Sequence, residues 1–61
     1  MTRDARLIDE NGRYIAEFNR FIYGQSKRVK YNITAREAQA LKWALNAENE
    51  AVIDIICYSI S

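Results

Sequence analysis

The sequence predicts an α+β domain: a four-stranded sheet in the order β-β-β-α-β, with the one helix packed on one face. Three observations carry this. An Asn11-Gly12 pair separates two strand-like segments, apolar and charged residues alternate cleanly from Val29 to Ile33, and Thr34-Ala35-Arg36-Glu37 opens a run of helix formers.

Asn-Gly is the strongest short hairpin signal, because a type I′ turn needs positive φ at both central residues and these two tolerate it best. Its flanks, Ala5 to Glu10 and Arg13 to Tyr23, become the first two strands. In the second, Tyr14, Ala16 and Phe18 share one face, with Ile15 and Glu17 on the other. Phe21 and Tyr23 fall on the wrong parity, so a bulge or bend is expected near Asn19. Gly24-Gln25-Ser26-Lys27 reads as a turn. Val29, Tyr31 and Ile33 then face a core while Arg28, Lys30 and Asn32 face away.

Thr34 and Glu37 form a capping box, and the residues from Ala35 to about Glu48 are mostly Ala, Leu, Glu, Gln and Lys. Asn46 or Asn49 can end the helix. Ala51 to Ile60 reads as the last strand, with Ile53, Ile55 and Cys57 on one face and Val52, Ile56, Tyr58 and Ile60 on the other. A strand apolar on both faces expects cover on both. One helix covers one face, so the other expects a partner, which makes a homodimer through the uncovered sheet face an option.

A chain of 61 residues forms one domain, residues 1 to 61, with a thin core. The usual supports for so small a core are missing. Cys57 is the only cysteine, so no internal disulfide forms, and there is no histidine to share a thiolate metal site. A lone cysteine and no signal peptide suggest a cytoplasmic protein, and the longest apolar stretch is too short to span a membrane.

Catalysis has little to work with. Cys57 has no sequence candidate for a base, Asp9 and Glu10 point to opposite faces of a strand, and the glycine and lysine at Gly24 to Lys27 lack phosphate-loop spacing. No enzyme and no cofactor are expected.

The formal net charge is +1, but it is unevenly spread. Residues 20 to 42 carry Arg20, Lys27, Arg28, Lys30, Arg36 and Lys42 against Glu37 alone, a net +5, and the remainder is −4. On a helical wheel Leu41, Leu45 and Ala38 define the sheet-facing side, and Trp43 lies about 200° away beside Arg36, Ala40 and Ala47. A solvent-facing Trp beside Arg and small residues has the composition of a binding hot spot. The other reading rolls the helix so that Trp43, Ala40 and Ala44 face the sheet. The candidate partner-binding residues are Trp43, Arg36, Lys42, Lys27, Arg28 and Lys30.

With Tyr14-Ile15-Ala16-Glu17-Phe18, Val29-Lys30-Tyr31-Asn32-Ile33-Thr34, Glu37-Ala38 and Val52-Ile53-Asp54-Ile55 in view, the chain resembles small bacteriophage host-takeover proteins. In layout it is similar to the T7-type inhibitor of host RNA polymerase and to compact anti-CRISPR proteins, with strands, an Ala-rich helix and a closing strand. The resemblance spans about residues 13 to 60 and rests on order and spacing. The polymerase inhibitor uses charged residues on its closing strand, where this chain offers only Asp54. The resemblance implies a stoichiometric inhibitor that binds a host protein or nucleoprotein complex and blocks it. The alternative is a nucleic-acid-binding accessory protein using the Lys27, Arg28, Lys30 face.

Overall fold

The computed structural model describes residues 3–61. It is α+β, with a three-stranded antiparallel sheet and two helices. The strands are β1 (Arg6–Glu10), β2 (Arg13–Ile22) and β3 (Gln25–Ile33), followed by α1 (Ala35–Asn46) and α2 (Glu50–Ile60). The strand order is β1-β2-β3, so β2 is central and both other strands are edges.

Two turns of the same kind set the register. Asn11 and Gly12 have φ of 53° and 80°, and Tyr23 and Gly24 have 50° and 76°, the double positive φ of a type I′ turn. The first was expected. The second moves the predicted turn upstream: Gln25, Ser26 and Lys27 belong to β3, and a fully exposed Tyr23 takes the first turn position.

β2 and β3 pair without interruption from Tyr14 opposite Ile33 to Ile22 opposite Gln25. The bulge expected in β2 near Asn19 is therefore not there. The irregularity lies on the β1 side, where Asp4 adopts φ of 47° and the Asn19 amide donates to the Arg3 carbonyl at 2.7 Å. Phe21 stays on the face opposite Phe18.

The capping box of α1 is formed as read. The Glu37 amide donates to the Thr34 hydroxyl at 3.1 Å, and the Thr34 amide donates to the Glu37 carboxylate at 2.8 Å. The helix ends in a Schellman motif, with Asn49 N–H bonded to the Ala44 carbonyl and Glu48 N–H to the Leu45 carbonyl. Glu48 occupies the left-handed position, φ 51°, that glycine usually fills.

The predicted fourth strand is a helix. Asn49 does not only close α1. Its side chain accepts from the Val52 amide at 3.3 Å and caps α2. On a helix Ile53, Ile56, Cys57 and Ile60 fall at spacings of three and four and form one stripe. Ile53 and Cys57 are buried, and Val52, Ile56 and Ile60 pack partly on the core. This removes the doubly apolar strand that suggested an obligate partner.

Both helices cover the sheet face that carries Ala16 and Phe18. These join Leu41, Ala44, Ile53 and Cys57 in the core, and Phe18 stacks on Tyr31 with ring centroids 5.7 Å apart. The other face is a charge lattice, with Arg6 opposite Glu17 and Glu17 opposite Lys30 across the three strands. It also carries Ile8, Ile15 and Phe21, all half-buried.

Candidate functional site

The roll of α1 decides where Trp43 goes. Ala38, Leu41 and Ala44 are buried, and Trp43 is 61% exposed. The alternative roll, with Trp43 and Ala40 against the sheet, is not adopted, because Leu41 fills the core position over Ala16 and Phe18. Arg36, Ala40, Trp43 and Ala47 follow one another at three- and four-residue steps along the solvent side.

α2 adds to this surface. Ile55 is 66% exposed and Tyr58 78% exposed, one helical turn apart. A largely apolar groove runs between the helices, bordered by Arg36 and Ala40 on one side and Ile55 and Ser59 on the other. Trp43 stands one turn from Ala40 on α1. The two helices thus present Trp43, Ile55 and Tyr58 to solvent.

Ile55 and Tyr58 were not among the candidates from sequence. Read as a strand, the segment places them on opposite faces, whereas the three-residue helical step sets them together. The signal was the i, i+3, i+4, i+7 spacing of Ile53, Ile56, Cys57 and Ile60 behind a capping Asn49.

The six sequence candidates do not form one patch. Trp43 and Arg36 share the solvent ridge of α1. Lys42 lies on its other flank, lining a shallow cleft with Leu7, Asp9 and Tyr14. Arg28 and Lys30 project from the sheet face opposite the helices, because β3 directs Val29, Tyr31 and Ile33 to the core. Lys27 lies near the β2–β3 turn, opposite Arg20. The sheet therefore separates the Trp43 surface from Arg28 and Lys30.

Arg28 is already engaged. Its guanidinium lies 3.3 Å from Glu17 and 3.6 Å from Asp4, and it donates to the Asn19 side chain at 3.1 Å. Lys27, Lys30, Arg36 and Lys42 form no ion pair among the described residues. Sequence reading also passed over Arg3. Its Nε donates to Asp54 at 2.6 Å, and its guanidinium sits near the Phe18 and Phe21 rings, tying the first residues described to α2.

Cys57 is a free, fully buried thiol. Burial pushes its pKa up, nearby Arg3 opposes the shift and Asp54 adds to it, so the thiol stays protonated and unreactive at neutral pH. Among the described residues no cluster of His, Cys, Asp or Glu could hold a metal, and no helix is long and apolar enough to cross a membrane. What the surface offers is a set of exposed apolar side chains, Trp43, Ile55 and Tyr58, on the two helices. Compared with protein families, curated proteins and solved structures, the chain matches none.

Proposed function

We propose that this chain is a non-catalytic protein-binding module that acts stoichiometrically, occupying a surface of a host protein or nucleoprotein complex and blocking it. The observation that carries the reading is the exposure of Trp43 on α1 together with that of Ile55 and Tyr58 on the neighbouring helix. A small domain gains nothing in stability by leaving three large apolar side chains in water, and exposed large apolar and aromatic residues are what docking faces use. Alanines at 40 and 47 let a partner approach the helix closely. Inhibition of a host machine is the class that the phage-protein resemblance implies. The closing strand on which that layout partly rested is the helix α2 in the structure. A buried, reduced Cys57 suits a cytoplasmic setting.

The nucleic-acid reading has less support. Arg28 is committed to Glu17, Asp4 and Asn19, and Tyr31 is stacked on Phe18 inside the fold, so the basic strand has neither its full charge nor that stacking platform free.

The test is affinity capture from lysate of the organism in which the chain acts, with wild type and Trp43→Ala in parallel. One protein retained at near-equal stoichiometry by wild type and lost with the variant is the expected result. Capture that ignores the substitution, or retention on nucleic acid that falls steeply with salt, overturns the proposal.

A further inference from the structure

We propose that the open edge of β3 is a second docking site, which takes an extended segment of a partner protein, alternating acidic and apolar residues, as a fourth strand. The proposal goes beyond the reading of the Trp43 face and does not depend on it.

The phase of the backbone comes from the Tyr23-Gly24 turn. In a two-residue hairpin the flanking residues, Ile22 and Gln25, exchange both backbone hydrogen bonds, and such pairs then alternate along the ladder. Gln25, Lys27, Val29, Tyr31 and Ile33 therefore point their backbone groups at β2. Ser26, Arg28, Lys30 and Asn32 point theirs outward, and among the described residues β3 has no paired strand on that side. Four successive N–H and C=O pairs at strand spacing are matched by another extended chain.

The side chains specify that chain. On the helix-facing side Val29, Tyr31 and Ile33 are only half-buried, whereas Ala16 and Phe18 in the adjoining row of β2 are fully buried. A fourth strand with apolar residues at alternate positions extends this row and shelters its outer flank. On the opposite face stand Arg28 and Lys30. The Glu17 carboxylate opposite Lys30 is bonded to Arg28, so Lys30 has no ion pair among the described residues; exposed Lys27, likewise without one among them, shares the parity of Val29 and stands near the turn. Acidic residues at the remaining alternate positions answer the positive face of Arg28 and Lys30. A second copy pairing β3 with β3 is disfavoured, because Lys27, Arg28 and Lys30 would meet their own kind.

The experiment uses the full chain and two synthetic peptides, one alternating glutamate with valine and one alternating lysine with valine. Saturating acidic peptide is expected to slow hydrogen exchange at the amides of Ser26, Arg28, Lys30 and Asn32 by roughly tenfold or more. Lys30→Pro removes an outward N–H and no bond to β2, so it should cost the peptide roughly tenfold in affinity while the fold is retained. If that variant fails to fold, the double variant Lys27→Glu, Lys30→Glu decides the matter, with the preference expected to pass to the basic peptide. Equal binding of both peptides by wild type, no added protection at those four amides, or protection that appears without peptide as protein concentration rises each overturns the proposal. The last result would make a second copy the occupant. Trp43→Ala should leave peptide binding unchanged, which keeps this outcome separate from that of the helix face.

Discussion

Replacing Trp43 by alanine separates a docking residue from a core residue, and the structure sets the expected size of the effect. With 61% of its surface in water, Trp43 buries roughly two-fifths of a side chain worth about 250 Å². The loss of about 100 Å² corresponds to about 2.5 kcal/mol at ~25 cal/mol/Å². That is an upper figure, because the unfolded chain already shelters part of this area. Alanine also returns about 0.5 kcal/mol through its better helix propensity. A net loss of roughly 1 to 1.5 kcal/mol follows, a fall in Tm of about 5 to 10 °C for a domain of this size. Leu41→Ala, two residues away and fully buried, is the control, at about 2 to 5 kcal/mol. A core of this size rarely supplies more than about 3 to 5 kcal/mol, so Leu41→Ala should be close to unfolded at 25 °C while Trp43→Ala stays folded. Circular dichroism melts of both variants, with partner affinity measured on the folded one, give the answer. Affinity should fall by about 2 kcal/mol or more. Loss of helix signal in Trp43→Ala as large as in Leu41→Ala would refute the reasoning.

Thr34→Ala removes the acceptor of the Glu37 amide and should destabilise by about 1 kcal/mol in chemical denaturation; no change would mean that the cap contributes nothing. Glu48→Gly and Tyr23→Asn each relieve a left-handed non-glycine residue, φ 51° and 50°, and each should raise stability by about 0.5 to 1 kcal/mol. A lower Tm in either would point to a role for the side chain. Cys57 makes stability fall at alkaline pH. Burial raises its folded pKa, so above the ordinary thiol value of 9.0 the unfolded chain has lost the proton that the folded one keeps. Denaturation from pH 7 to 10 should show that loss in wild type and a smaller one in Cys57→Ala, each compared with its own value at pH 7. Reaction of Cys57 with a thiol reagent should be slow until denaturant opens the fold.

Much of this molecule was written in short stretches of chain. Asn11-Gly12 specifies its turn because few other residues tolerate positive φ twice in succession. The capping box at Thr34 and Glu37 satisfies two helix-end amides from within four residues and needs nothing further. The parity of Val29, Tyr31 and Ile33 against Arg28 and Lys30 follows from the pleat alone. The roll of α1 was legible as two alternatives, and Leu41 in the core position selects the one that exposes Trp43.

Other features depended on neighbours distant in sequence. Val52 to Ile60 is apolar at nearly every position and rich in β-branched residues, a composition that suits a covered strand and a packed helix alike. The Asn49 cap and the space beside α1 favour the helix, and only there do Ile55 and Tyr58 come together. Likewise, the net +5 of residues 20 to 42 is a property of sequence order, and the sheet divides it by sending Arg28 and Lys30 to one side and Arg36 and Trp43 to the other. The sequence by itself determined the Asn11-Gly12 turn, the Thr34 cap and the alternation of β3, because these are settled by contacts a few residues apart. Tertiary structure alone decided the state of the last segment and which side chains share an exposed face. Burial is shared among residues far apart in the chain, and a side chain's face depends on what packs against its element.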